Sequence, residues 1–307
     1  MRTVRIILNG QQAFGAEVLK ALLARGEDIV AVYCAPDRPG RGADPLKQAA
    51  LDAGIPVEQP ESFKDEETAS RIGSWDADLM VMAFVTLIVP EDVLSIPRHG
   101  SIQYHPSLLP LHRGPSAINW AVIHGDAKTG VTIFWPDDGL DTGPVLLRRE
   151  VAIEDEDTMG SLYFDKLFPI GVQAMIESVD LVRAGDAPKE EQDESQATYE
   201  GWCGRDDVGI DWSAPARGVY DRIRGANPRP GAWTTVGDGE VGLLDCRLLD
   251  GDPGAAPGQV LEVADDAVTV AAAGGALSVS VLRLDSGDKV GPAEVPGLAA
   301  GMTLGGS

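Results

Sequence analysis

Cysteine, basic residues and long apolar runs are scarce in this sequence, and each shortage excludes a class of protein. The 3 cysteines are odd in number and far apart, so we expect neither a disulfide framework nor a zinc site, as is usual in a reducing cytoplasm. The most apolar internal stretch, residues 79–90, is too short to cross a bilayer, and the N-terminal run is too short for a signal peptide. We therefore predict a cytoplasmic protein without a membrane partner.

Positive charge is in short supply. The 25 lysines and arginines are outnumbered by 48 aspartates and glutamates, which leaves a net charge of -23. Such a surface repels phosphate backbones, and the densest basic segments, residues 38–41 and 222–229, are short. Nucleic acid is therefore a disfavoured partner, although strong acidity by itself is also found in proteins of salt-rich cytoplasm.

A glycine-rich dinucleotide fingerprint is missing as well. The turn at residues 9–15 follows the first predicted strand, where such a fingerprint would lie, but it lacks the G-x-G-x-x-G spacing. The predicted topology is therefore compatible with a nicotinamide-dependent oxidoreductase, but the glycine fingerprint that would support this function is missing.

What is present is a regular alternation of strands and helices over residues 1–184. Continuous apolar runs predict buried strands, and periodic apolar residues predict the helices between them. Strands are expected at residues 4–8, 29–34, 79–84, 101–104, 131–135 and 145–151. Helices are expected at residues 14–23, 45–53, 116–123 and 157–183, with Ser116 as an N-cap. This order predicts a Rossmann-like, doubly wound α/β domain whose ligands bind beyond the carboxyl ends of the strands.

The composition changes after residue 184. Residues 185–204 begin with an acidic, weakly periodic stretch that is typical of a linker. Within residues 205–307, a predicted helix at 214–224 precedes short β-rich runs at 241–249, 260–263, 267–272 and 276–284. Glycine and aspartate turns separate these runs, and the pattern predicts a small, OB-like β-barrel as a C-terminal domain.

Two polar motifs follow predicted strands of the first domain. His105 comes directly after one strand, and Asp141 lies in the acidic turn DDGLDTG, 36 residues later. If the fold brings them together, they form a general acid and the carboxylate that orients it, an arrangement suited to acyl transfer. Each also has a structural interpretation, His105 as a histidine bonded to a backbone carbonyl and Asp141 as part of a solvated turn.

Other candidates keep two interpretations. Asp137 and Asp138 are solvated acids of the same turn or ligands of a hard cation, but the spacing of a calcium loop is absent and no metal is expected. Arg113, with His112, precedes a helix start and suits a carboxylate or phosphate, or is simply a basic surface residue. Cys34, at the end of a predicted strand and within it, is expected to be an inert core thiol.

Long segments of the chain resemble the folate-dependent formyltransferase family. HPSLLPLHRG, at residues 105–114, is similar to the family's His-x-Ser-Leu-Leu-Pro signature, and DDGLDTG, at 137–143, is similar to its acidic loop. Residues 210–213 and 223–228 resemble the start of the C-terminal barrel of the methionyl-tRNA formyltransferases. Within the family, the likeness is strongest to the N-terminal hydrolase domain of 10-formyltetrahydrofolate dehydrogenase.

The resemblance implies a mechanism and a site. 10-Formyltetrahydrofolate is the expected cofactor, as formyl donor, and a small amine or water is the acceptor that attacks the formyl carbon. Protonated His105 stabilises the oxyanion of the tetrahedral intermediate, while Asp141 raises the basicity of His105 and helps to remove the nucleophile's proton. Gln103 is the third catalytic candidate. The expected folate-binding residues are Met82, Phe84, Val85, Leu87, Ser107, Leu108, Asp137, Asp138, Gly139 and Leu140.

Two departures from the family pattern bear on the acceptor. Most family transferases carry asparagine two positions before the histidine, whereas this chain has Gln103. A lost donor there would cost about 3 kcal/mol of transition-state stabilisation. The early loop that tRNA formyltransferases use is short, residues 37–45, with Arg38 and Arg41 as its cations. Initiator methionyl-tRNA is therefore the alternative acceptor, ranked below a small amine or water, and an inactive folate-binding protein is a further alternative.

Overall fold

A computed structural model describes residues 3–40 and 42–305. The chain divides into two compact units. The first comprises residues 1–114, 130–151 and 166–199, and the second comprises residues 115–129, 152–165 and 200–307. Two segments that the sequence places inside the first predicted domain, 115–129 and 152–165, therefore belong to the second unit.

The helices are short except for the first and the seventh. They are α1 (Gln12–Ala24), α2 (Pro45–Asp52), α3 (Glu66–Ser74), α4 (Glu91–Leu94), α5 (Ala117–Ile123), α6 (Met159–Ser161), α7 (Phe168–Ala184) and α8 (Ala216–Ala226). A π-helical turn, Leu162–Leu167, precedes α7, and short 3-10 turns occupy Glu194–Gln196, Asp206–Val208 and Pro292–Glu294. No helix in the described part of the chain has both the length and the apolar character that crossing a membrane requires.

The strands fall into two groups along the chain. The earlier ones are β1 (Arg5–Gly10), β2 (Asp28–Tyr33), β3 (Val57–Glu58), β4 (Leu79–Ala83), β5 (Ser101–His105), β6 (Lys128–Phe134) and β7 (Val145–Ala152). The later ones are β8 (Ala232–Val236), β9 (Gly239–Leu243), β10 (Cys246–Leu249), β11 (Val260–Val263), β12 (Val268–Ala272), β13 (Gly275–Val279), β14 (Leu282–Arg283) and β15 (Lys289–Val290).

The first unit is built on one sheet in the order β3-β2-β1-β4-β5-β6-β7. The five strands from β3 to β5 pair in parallel, and β6 runs antiparallel to β5. All five residues of β4 are buried, because helices cover both faces of a doubly wound sheet. The chain order reverses between β1 and β4, which places the expected ligand crevice outside the carboxyl ends of these two strands. The predicted Rossmann-like class is confirmed.

The second unit carries the strand-rich part of the chain. Two antiparallel sheets form there, in the orders β10-β13-β12-β11 and β15-β14-β9-β8. Their inward side chains share a core with α8, which includes Val219, Ile223, Val270 and Leu277. Short antiparallel strands around one core fit the predicted small barrel-like domain, so this part of the fold prediction is confirmed as well.

Several predicted elements differ from the observed ones. The helix expected over 157–183 is divided into α6, a π-helical turn and α7, while α3 and β8 were not predicted. Ser116 does precede α5, but its hydroxyl does not cap the helix, because it accepts the backbone N–H of Cys203 at 3.0 Å. The strand expected over 241–249 is two strands, β9 and β10, since the chain turns between them.

The segment predicted as a linker is largely ordered structure within the first unit. The backbones of Val145 and Glu190 exchange two hydrogen bonds, at 2.7 and 2.9 Å. Gln192 is only 8% exposed, and Glu194 begins a 3-10 turn. Residues 185–199 therefore form part of the first unit, because their side chains find partners there that composition alone does not reveal.

Candidate active site

His105 is the last residue of β5, at the carboxyl end of the strand. Side chains two positions apart share a face of a strand, so Gln103 and His105 point the same way. His105 is buried, and its Nε2 lies 2.8 Å from the backbone oxygen of His112. A carbonyl oxygen only accepts, so Nε2 carries a proton and Nδ1 is the nitrogen left for chemistry.

Asp141 faces that second nitrogen. Its Oδ2 lies 3.6 Å from Nδ1 of His105, and both side chains are 6% exposed. The same oxygen accepts the backbone N–H of Gly114 at 2.9 Å. The carboxylate and the imidazole therefore face each other at the distance of an ion pair, in a place from which water is largely excluded. The structure thus brings together the two residues predicted as a pair.

The acidic loop holds Asp141 in an unusual backbone conformation. Its φ of +58° is rare for a residue with a Cβ and persists only where the surroundings hold it. Asp137 closes the loop from within, since its Oδ1 accepts the hydroxyl of Thr142 at 2.6 Å. A Cβ at Gly143 would collide with the carbonyl oxygen of Trp135. The backbone geometry of the loop therefore restricts the residues of the DDGLDTG motif as strongly as the chemistry of the site does.

A cavity of about 230 Å³ opens beyond the carboxyl ends of β4 and β5. Its apolar wall comes from the segment that follows β4 and from Phe134 of β6, and its polar side comes from Gln103 and the acidic loop. The predicted site residues that line it are Met82, Val85, Leu87, Gln103, Asp137, Asp138, Gly139, Leu140 and Asp141. The arrangement is that of a ligand pocket, with an apolar lining and a few convergent polar groups.

Three predicted folate-binding residues do not line this cavity. Phe84 follows β4 with a φ of +62°, is 43% exposed and borders a separate small pocket at the end of β1. The hydroxyl of Ser107 is buried and donates to the backbone oxygen of Leu111 at 2.6 Å. Leu108 packs against Gly130 of β6. Ser107 and Leu108 therefore shape the turn after His105, and the cavity geometry gives no support to ligand contact by these three.

Negative charge gathers at the mouth of the cavity. The carboxylate of Asp138 raises the pKa of neighbouring Glu91, first through its charge and then through a hydrogen bond. Ile88 and Leu140, which are 73% and 53% exposed, form the apolar part of the rim. Such a mouth favours cationic or neutral groups over anionic ones.

Arg113 is not available to an anionic ligand. It is 7% exposed, so the prediction of a basic surface residue is wrong, and His112 is buried too. The Arg113 guanidinium donates to the side-chain oxygen of Gln192 at 2.9 Å and to the carboxylate of Glu194 at 2.6 and 3.0 Å. The bond to Glu194 raises the pKa of Arg113 above its already high ordinary value. The guanidinium donors are thus used in hydrogen bonds to Gln192 and Glu194 of the same chain.

The early loop contributes little positive charge. Asp37 forms an ion pair with Lys47 of α2. Asp44 caps α2 by accepting the backbone N–H of Leu46 at 2.8 Å. Arg38 is exposed, whereas Arg41 lies outside the described residues.

Two residues that touch the site were not predicted. Gln192 donates from Nε2 to the backbone oxygens of Asp141 and Gly143, at 2.9 and 2.8 Å. The hydroxyl oxygen of Thr198 accepts the backbone N–H of His112 at 2.7 Å. Both lie in a polar stretch without periodicity, so no sequence signal marks them.

Comparison with protein-family models decides the class of this protein. The Formyl transferase model matches residues 1–179, and the model for the formyl transferase C-terminal domain matches residues 204–295. The chain belongs to the formyl transferase family. The family predicted from HPSLLPLHRG and DDGLDTG is confirmed.

Relatives of this formyl transferase chain include two kinds of protein. The mitochondrial 10-formyltetrahydrofolate dehydrogenase of Mus musculus is 44% identical over 251 residues, which are 80% of this chain and 27% of that protein. The methionyl-tRNA formyltransferase of Marinobacter nauticus is 41% identical over 286 residues, which are 92% of each. The chain thus spans about a quarter of the length of the dehydrogenases it matches.

Solved structures share the fold. HypX from Aquifex aeolicus in complex with tetrahydrofolic acid superposes with a TM-score of 0.69 and 19% identity, over 96% of this chain and 47% of that one. WlaRD, a sugar 3N-formyl transferase, superposes with a TM-score of 0.69 and 16% identity, over 91% of this chain and 98% of that one. At these identities the likeness describes the fold alone.

Proposed function

We propose that this chain takes the formyl group from 10-formyltetrahydrofolate and passes it to a small amine or to water. The buried pair His105 and Asp141, 3.6 Å apart at the carboxyl edge of the sheet, carries the proposal. The identity of 44% with a 10-formyltetrahydrofolate dehydrogenase supports the choice of donor. The cavity wall at Met82 and residues 85–87 and the loop at 137–140 are assigned to the pterin ring of that donor.

The proposed reaction begins when an amine nitrogen or a water oxygen attacks the formyl carbon. The electron pair of the formyl C=O bond moves onto oxygen, where Nδ1–H of protonated His105 and the amide of Gln103 donate hydrogen bonds to it. Asp141 accepts the proton that the nucleophile loses. The bond between the formyl carbon and the folate nitrogen then breaks, and that nitrogen takes up the proton. The products are tetrahydrofolate and a formamide, or formate when water attacks.

Charge favours a small acceptor. Asp138 and Glu91 make the cavity mouth acidic, which attracts a protonated amine and opposes a polyanion. Arg38 is the one cation among the described residues of the loop at 37–45, because the loop's other arginine lies outside them. Few basic groups are therefore placed to hold phosphates.

Formylation of initiator methionyl-tRNA is the second candidate. The observation in its favour is the match to a methionyl-tRNA formyltransferase over 92% of both chains, which spans the strand-rich unit as well as the catalytic one. For that reaction, tRNA would have to bind against the electrostatic repulsion of a protein with a net charge of -23.

The test is the release of tetrahydrofolate from 10-formyltetrahydrofolate, followed by absorbance. The reaction is run without an acceptor, then with amino sugars, with amino acids, and with initiator methionyl-tRNA. We expect release without an acceptor or with one small amine. Release with tRNA alone would establish the second candidate, and no release under any condition would refute the proposed donor.

A further inference from the structure

The left-handed backbone of Asp141 must be held by its neighbours, because an isolated residue with a Cβ avoids it. Within the acidic loop, the side chain of Asp137 bonds to Gly139 and Thr142 and does not reach the Asp141 backbone. The side chain that bonds to this backbone is that of Gln192. Its Nε2 donates hydrogen bonds to the backbone carbonyl oxygens of residues 141 and 143.

The orientation of the Gln192 amide is set by its other end. Its Oε1 accepts Nε and Nη2 of Arg113, at 3.3 and 2.9 Å. A flipped amide would place NH2 against the guanidinium and oxygen against two carbonyls, so only the observed orientation satisfies every partner. Arg113 is itself fixed by Glu194, whose pKa is lowered by that hydrogen bond. The donor at Nε2 is thus held rigidly toward the acidic loop.

The same segment acts on the other half of the catalytic pair. Thr198 bonds to the turn after β5 three times: its N–H donates to Pro110 at 3.1 Å, its carbonyl accepts from Arg113 at 3.0 Å, and its hydroxyl oxygen accepts from His112. His112 has a φ of +53°, which turns its carbonyl oxygen onto Nε2 of His105. Thr198 therefore supports the group that fixes the imidazole.

We propose that Gln192 and Thr198 are positioning residues, which together act as a clamp and set the separation of His105 and Asp141. Gln192 holds the carboxylate half, and Thr198 holds the imidazole half. The inference rests on the proposed function of this pair. A shift of about 1 Å in such a pair can cost 100-fold in rate, so the clamp acts on kcat and leaves folate binding alone.

The test compares Gln192→Met with Gln196→Met in the full chain. Methionine keeps the length of glutamine without its hydrogen bonds, and Gln196 is an exposed residue of the same segment whose side chain donates to Asp193. We expect Gln192→Met to lower kcat by about tenfold to 100-fold, with KM for 10-formyltetrahydrofolate changed by less than about threefold. Gln196→Met should match the wild type. If Gln192→Met does not fold, Gln192→Glu keeps the bond to Arg113 and removes the same donor.

The second half is tested at Thr198. Thr198→Val keeps the shape and removes the oxygen that accepts from His112, whereas Thr198→Ser keeps that oxygen. We expect kcat to fall in the valine variant and to be restored in the serine variant. If Thr198 had a purely structural role, the valine variant would instead have a lower thermal stability and a smaller active fraction. Its kcat would then not fall independently of KM.

A readout that needs no turnover is hydrogen exchange at the amide of Gly114, which donates to Asp141. Support requires faster exchange there in the Gln192 variants and not in Gln196→Met. Unchanged exchange at Gly114, an unchanged kcat, or faster exchange across the whole first unit would each overturn the clamp. If the wild type releases no tetrahydrofolate, the proposed function fails, and Gly114 exchange alone then decides the clamp.

Discussion

Replacing Asp141 by asparagine removes one negative charge beside His105 and changes little else. Asparagine has nearly the same size, and its side-chain oxygen can still accept the N–H of Gly114, so the acidic loop should keep its conformation. What disappears is the attraction between the carboxylate and a protonated imidazole whose Nδ1 lies 3.6 Å away, together with the group that accepts the nucleophile's proton.

The magnitude follows from that distance. Two unit charges 3.6 Å apart attract by about 4 to 5 kcal/mol at an effective dielectric constant of about 20. If this attraction acts in the transition state, its loss lowers kcat by about 10³-fold, since about 1.4 kcal/mol corresponds to a factor of ten. Folate affinity should change much less, because Asp141 occupies only one edge of the cavity.

The assay is tetrahydrofolate release at saturating donor, with tetrahydrofolate binding measured separately by calorimetry. Glu61→Gln is the matched control, because it removes one charge from an exposed acid that does not line the cavity. An Asp141→Asn variant that binds folate normally and retains more than about a tenth of the wild-type kcat would refute the electrostatic role of Asp141.

Three further predictions concern His105, Gln103 and the cysteines. His105→Ala should abolish turnover and leave tetrahydrofolate affinity nearly unchanged, and unchanged turnover would rule out His105 as the catalytic group. Gln103→Leu should lower kcat by about 10²-fold by removing an oxyanion donor, whereas an unaltered kcat would place that amide outside the transition state. Burial raises the pKa of the Cys34 and Cys203 thiols to about 11 and that of Cys246 to about 12. A raised pKa leaves less thiolate at a given pH, so iodoacetamide should label the folded chain at pH 8 at least about 100-fold more slowly than the unfolded chain, and faster as pH rises. Rapid labelling of the folded chain would contradict this burial.

The agreement between sequence and structure is best where burial is continuous. The run at 79–84 predicts β4 within one residue, because a strand buried on both faces is apolar at every position. The polar helix α3, by contrast, buries only Ile72, so its apolar spacing was too sparse to be recognised. Residues 185–199 were misjudged for the same reason, since Gln192 is buried by hydrogen bonds and not by apolar contacts.

The sequence by itself determined the chemistry available to this protein. The reaction class was predicted from a histidine that follows one strand and a carboxylate that follows another. The family was predicted from the two long motifs that contain them, because short segments carry residue type and local periodicity. Only the tertiary structure decided which nitrogen of His105 is left to react and what holds Asp141 in place. Those answers depend on Thr198 and Gln192, which lie 86 and 51 residues along the chain from His112 and Asp141, their partners. A hydrogen bond depends on the separation of its atoms in space, and the local pattern of the sequence does not contain that distance.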